Sequence, residues 1–298
     1  MPLFEVNGTR LFADVRGADD APPLLYVHGG PGMSAFDFMH VQGDRLAGTS
    51  RVIGVDQRGL LRSDPLTVGT ELSAELVIAD FEALRETLGY RRWAILGHSF
   101  GGWLATAYAH RHPESVSAVV FDCPAWDADV ANKHRLALVA DKLEEIGDTE
   151  GVERARALMT LPRRLTLEDD AWSVIARLGA RTLELNFHRQ EAAVEFTATR
   201  EDSGFTDADF ARGTAEHVVA LRGCMFDSAL PLLPGLKQPS MLVYGRYDPV
   251  MAPVAVMSYR ESRPEPEIAV LEGSSHHTHI EEPDAYARVV GAFLSSRS

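Results

Sequence analysis

Gly97-His98-Ser99-Phe100-Gly101 sets a serine between two glycines, after the apolar run "WAIL" and before the helix-forming "WLATAYAHRH". A serine on a strand-to-helix turn is lifted above the sheet, and glycines flank it because a Cβ there clashes. The following helix aims the positive end of its dipole at developing negative charge. The string is common; its strand–turn–helix setting marks this copy as a nucleophile. A serine hydroxyl attacks only when a base takes its proton and a third group orients that base. Asp248 in "YGRYDPV" follows one predicted strand, and the cluster His276, His277 and His279 in "GSSHHTHIEEP" follows the next. Asp122 in "VFDCP" ends an earlier strand and is the rival acid. Metal binding by the histidines is not expected, because no second cluster with ligand spacing occurs elsewhere.

A second stretch, "VHGGPGMS" at residues 27–34, follows the apolar "PLLY". Its three glycines and proline neither continue a strand nor start a helix. Such backbone either turns sharply or stays bare so that a ligand can approach its N–H groups.

These residues need a scaffold. "PLFEV" and "RLFADVRG" read as strands joined at Asn7-Gly8, a hairpin signal. "PLLYV", "RVIGV", "WAILG" and "VSAVVFD" read as further strands. Leu72, Leu76, Ile78, Ala79, Phe81, Leu84 and Leu88 recur at helical spacing between them. Alternating strands and helices imply a mostly parallel central sheet with helices on both faces. Residues 125–235 are charge-rich and helical in pattern, with no convincing strand. Alternation returns with "PSMLVYG", "PEIAVLEG" and the terminal helix "DAYARVVGAFLSS". The expected organisation is an α/β core, residues 1–124 and 236–298, interrupted by an all-helical insertion at 125–235.

The formal net charge of −14 argues against nucleic acid, which demands clustered Lys and Arg. No basic-then-apolar leader is visible, and no run approaches the roughly 18 apolar residues of a membrane span. Cys123 and Cys224 lack C-x-x-C spacing and read as free thiols. A cytoplasmic location and no membrane partner are the expectations; oligomeric state is not legible.

"HGGPGMS", "DQRG", "GHSFGG", "GRYDPV" and "SSHHTHIEEP", in this order, resemble the α/β-hydrolase superfamily, and within it the proline iminopeptidase group (serine peptidase family S33), tricorn-interacting aminopeptidases included. The resemblance covers the whole core and implies the α/β-hydrolase fold, with residues 125–235 as its helical cap. It implies a Ser99–Asp248–His276 triad, selecting His276 over its two neighbours. It also implies an oxyanion hole from the N–H of Phe100 and that of Gly30 or Gly29. The reaction implied is removal of an N-terminal aminoacyl group from a small peptide, an aminoacyl-amide or an aminoacylated biosynthetic intermediate, without a cofactor. Recognition of the substrate ammonium falls to cap carboxylates: Glu216 is the best positional match, with Glu195 and Glu184 as further candidates. Alternatives are a carboxylesterase or lactonase, a carbon–carbon bond hydrolase, and a catalytically silent ligand-binding relative. One departure stands out: the usual Asp-Gln-Arg-Gly-x-Gly-x-Ser reads "DQRGLLRS", with Leu61 at a glycine position.

Overall fold

A computed structural model describes residues 2–297. Its sheet contains β1 (Leu3–Val6), β2 (Thr9–Arg16), β3 (Pro23–Val27), β4 (Arg51–Val55), β5 (Trp93–His98), β6 (Val116–Asp122), β7 (Ser240–Gly245) and β8 (Glu267–Leu271). They lie in the order β1-β2-β4-β3-β5-β6-β7-β8. β1 and β2 form an antiparallel hairpin across Asn7 and Gly8, both at positive φ, and β2 also runs antiparallel to β4. From β4 to β8 every pairing is parallel. The central strands are buried on both sides, as parallel strands under helical layers must be. In β3, Leu25 and Val27 enter the core on one face of the sheet, while Leu24 and Tyr26 enter the other.

Helices α1 (Phe36–Leu46), α2 (Ala74–Thr87) and α3 (Phe100–Arg111) connect the first parallel strands. Between β6 and β7 the described chain is helical or irregular. It carries α4 (Ala128–Glu145), α5 (Thr149–Met159), α6 (Ala171–Ala176), α7 (Leu183–Asn186), α8 (Gln190–Glu201), α9 (Asp207–Ala211) and α10 (Thr214–Leu221), with short 3-10 turns. Leu136, Val139, Leu143, Leu158, Val174 and Leu185 give this insertion its own apolar core. The chain closes with α11 (Pro253–Glu261), α12 (Thr278–Glu281) and α13 (Pro283–Ser295). α1, α11 and α12 have weak sequence signals: α1 is interrupted by Gly43, and α12 is a single turn. Among the described residues no helix is long and apolar enough to cross a membrane. Cys123 and Cys224 are free thiols.

The strand order reverses between β3 and β5, since β4 lies on one side of β3 and β5 on the other. In open α/β sheets such a switch point leaves a crevice at the carboxyl ends of the strands. The segment "HGGPG" leaves β3 there and Ser99 leaves β5 there.

Candidate active site

Ser99 sits at φ 53, ψ −122, a conformation that L residues rarely adopt. Close packing of the turn against β3 imposes it. A Cβ on Gly101 would stand 2.1 Å from the carbonyl oxygen of Val27, so a side chain at 101 would push the turn off the sheet. Phe100 opens α3, so its N–H is among the donors that the helix leaves without an internal acceptor. The Gly29-Gly30 turn packs directly on the serine, leaving 2.8 Å between Ser99 Cβ and any Cβ placed on Gly29. Gly30 adopts φ +117, open to glycine alone at little cost.

The "DQRG" segment holds this turn in place. Asp56, fully buried, accepts the N–H of Ala35 at 2.9 Å and pairs with Arg62 through contacts of 2.6 and 3.0 Å. His28 Nε2 accepts the N–H of Gln57 at 3.3 Å. Burial lowers the His28 pKa to about 4, against the pull of the Gly29 carbonyl and Asp56, so the ring is neutral. Leu61 takes φ +33 in this loop, the left-handed region where glycine is at ease, and its side chain is buried.

Asp248 and His276 meet across the ends of β7 and β8, with Nδ1 of His276 3.0 Å from Oδ1 of Asp248. A carboxylate only accepts, so Nδ1 carries the hydrogen and Nε2 is left as the basic nitrogen. The same Asp248 oxygen accepts the N–H of Val250 at 2.9 Å, which fixes the carboxylate. His276 is held by the insertion, since its N–H donates to the carbonyl of Asn186 at 3.0 Å. Glu281 ties the two segments further, accepting N–H groups from His188, Arg189 and Ser275.

Asp122 has other work. It accepts from Thr278 Oγ1 at 2.7 Å, His279 Nδ1 at 3.0 Å, His98 Nδ1 at 3.1 Å and the Tyr286 hydroxyl at 3.2 Å. Burial raises the Asp122 carboxyl, but the His98 and His279 imidazoles outweigh it and hold it well below the usual carboxylate range. Burial lowers the His98 pKa to about 4 in spite of Asp122. His277 is pushed well down by burial and by the surrounding imidazoles, and stacks on Phe187 with ring centroids 4.8 Å apart. Of the three histidines in the motif, His276 alone bonds to Asp248.

Ser99, His276, Gly29 and Gly30 line one cavity of about 200 Å³. Asp37, Arg135, Asn186 and Phe196 share it, and none of these four stands out in the sequence. Asp37 is not a free carboxylate, because Arg200 grips it with contacts of 3.0 and 2.5 Å. The three candidate glutamates of the insertion lie elsewhere. Glu216 is exposed on α10, whose inward residue at this turn is His217, bonded through Nε2 to the Arg58 carbonyl at 2.8 Å. Glu195 is exposed on α8, and Glu184 pairs with Lys142 and Arg181 beside a separate groove of about 1000 Å³. No residue of the three lines the Ser99 cavity.

The strained serine turn, the parallel sheet and the switch-point crevice define an α/β hydrolase. Residues 22–283 match the alpha/beta hydrolase fold family, and the chain belongs to it. It is 28% identical to a proline iminopeptidase of Heyndrickxia coagulans over 287 residues, covering 92% of this chain and 91% of that one. It is 30% identical to a proline iminopeptidase of Xylella fastidiosa (strain 9a5c) over 277 residues, covering 90% and 87%. The crystal structure of a proline iminopeptidase-related protein from Thermus thermophilus superposes with TM-score 0.78 at 23% identity, covering 99% and 97%.

Proposed function

We propose that this chain is a serine hydrolase that removes an N-terminal aminoacyl group from a small peptide or amide through an acyl-enzyme. The observation that carries the serine chemistry is the 3.0 Å contact between His276 Nδ1 and Asp248, with His276 and the strained Ser99 lining one cavity. The aminoacyl substrate rests on the likeness to the proline iminopeptidases.

His276 Nε2 takes the Ser99 proton as Oγ attacks the substrate carbonyl. The tetrahedral oxyanion is met by the N–H groups of Phe100 and of Gly30 or Gly29. Losing one such donor typically costs about 3–4 kcal/mol of transition-state stabilisation. Protonated His276 returns its proton to the leaving amine, and Asp248 stabilises the imidazolium in the interval. Water, deprotonated by the same nitrogen, then releases the acyl group. Residues 125–235 serve as the cap, and the Asn186 carbonyl keeps the histidine loop registered against it.

One observation favours a second reading, a carboxylesterase or lactonase. The cavity offers an incoming ammonium no free carboxylate, because none of Glu184, Glu195 and Glu216 lines it and Asp37 of α1 is already paired with Arg200. Free aminoacyl-anilides, their N-acetylated forms and simple p-nitrophenyl esters separate the two readings, with Ser99→Ala as control. Cleavage confined to free-amine anilides supports the aminopeptidase. Equal cleavage of acetylated and free-amine anilides removes it, and turnover of esters alone establishes the second reading.

A further inference from the structure

Arg135 projects from α4 into the cavity that holds Ser99 and His276. Its surroundings differ from those of the other arginine nearby. Arg200 spends its charge on Asp37. Arg135 makes no ion pair with any carboxylate among the described residues; its Nη2 donates to the side-chain oxygen of Asn132 at 2.5 Å, and its buried Nε has no partner. Its guanidinium stands 5.6 Å from the Trp172 ring centroid, and Arg222 stands 4.7 Å from the same ring, adding a second positive charge. Asp248 attracts Arg135 through space without touching it. Burial pushes the Arg135 pKa down to about 10, with Arg222 lowering and Asp248 raising it, so the group stays charged near neutral pH.

A guanidinium with idle donors in a confined cavity is costly unless an anion arrives to use them. Planar bidentate pairing with a carboxylate is the contact it makes best. The lining cannot supply one: its one carboxylate, Asp37, is held by Arg200, and its other side chains are histidines, hydroxyls, an amide and apolar groups.

We propose that Arg135 is an anion subsite of the Ser99 cavity, so that the substrate carries a carboxylate close to its scissile carbonyl. The inference rests on the serine-hydrolase reading above. The carboxylate has two sources. It is either the free C-terminus of the single amino acid that leaves a dipeptide or the far end of a dicarboxylic acyl group.

Two matched pairs test both sources: alanylglycine against alanylglycinamide, and p-nitrophenyl hemiglutarate against p-nitrophenyl glutaramate. In one pair or the other, the charged member is expected to be hydrolysed with a kcat/KM at least tenfold higher. Arg135→Gln is expected to bring that ratio close to one, and Arg135→Lys to retain part of it. No preference in either pair, or a preference unchanged in Arg135→Gln, would overturn the proposal. So would an equal loss on charged and neutral members, which would make Arg135 a support for Asp248. A binding measurement on the unmodified protein covers the case in which Arg135→Gln does not fold. Glutarate should slow fluorophosphonate labelling of Ser99, while glutaramide at equal concentration should not; equal protection by both, or by neither, refutes the subsite. Failure to label Ser99 at all would instead bring down the serine-hydrolase reading, and this inference with it.

Discussion

Asp122 ends β6 and Asp248 follows the adjacent parallel strand β7, yet Asp248 alone bonds His276, at 3.0 Å, while Asp122 is saturated by four other side chains. Under the proposed mechanism Asp248 serves the chemistry and Asp122 the architecture, and substitution should expose the division. Asp248→Asn keeps the shape but reverses the preferred imidazole tautomer, with an expected loss of about 10⁴-fold in kcat. Asp122→Ala strands buried donors on His98, His279, Thr278 and Tyr286, and should cost about 3–5 kcal/mol in chemical denaturation. If Asp122→Ala left the unfolding midpoint unchanged while abolishing turnover, the assignment of the acid would be reversed.

Ser99 stores backbone strain at φ 53, ψ −122. A non-glycine residue in such a conformation costs of the order of 1–3 kcal/mol. Ser99→Ala and Ser99→Gly both remove the hydroxyl, but only glycine releases the strain. Both variants should lose fluorophosphonate labelling, and Ser99→Gly should unfold at a higher denaturant concentration than Ser99→Ala by about 1 kcal/mol. The reverse order of midpoints would contradict the strained turn.

Leu61 presents two opposed effects. Its left-handed φ of +33 costs about 1–2 kcal/mol, which glycine would recover. Its buried side chain is worth more, since truncating a buried leucine typically costs about 2–5 kcal/mol. Leu61→Gly should therefore destabilise the protein by about 1–3 kcal/mol, although glycine is usual at this place in the motif. A raised melting temperature would show that backbone strain outweighs burial.

His28 and His98 each have a pKa near 4 in the folded protein, against 6.5 for an ordinary histidine, because burial excludes the charged form. Above 6.5 both states are neutral and the groups have no effect on stability. Below it the unfolded chain binds protons that the folded chain refuses, so stability falls as pH drops from 6.5 to 4. Each histidine contributes up to about 3 kcal/mol to that fall. Urea midpoints measured between about pH 7 and pH 5 should drop steadily. A flat profile would mean that the two rings are protonated in the fold.

Local features are legible in the sequence. Short continuous apolar runs mark the buried parallel strands and period-3.6 spacing marks α2, since both patterns are set locally along the chain. Asn7-Gly8 marks the hairpin, and the glycines around Ser99 mark a turn too tight for a Cβ. What escapes is the set of contacts between distant segments. Nothing in "ANKHRLAL" signals that Arg135 enters the same cavity as Ser99, or in "LELNF" that the Asn186 carbonyl holds His276. Glu216 shows the same limit: sequence position puts it near the site, but the rotation of α10 is set by His217 docking on the Arg58 carbonyl. Adjacent residues on a helix point in different directions, and so Glu216 faces out.

The sequence by itself determined which residue types can do acyl-transfer chemistry and that Ser99, Asp248 and the histidine cluster each follow a strand, because strand ends and turns are written in local pattern. Tertiary structure decided which aspartate meets which histidine, and which charges reach the cavity. Those outcomes depend on strand order and on how the insertion packs against the sheet, where burial and pairing of a few side chains far apart in the chain outweigh anything their neighbours in sequence specify.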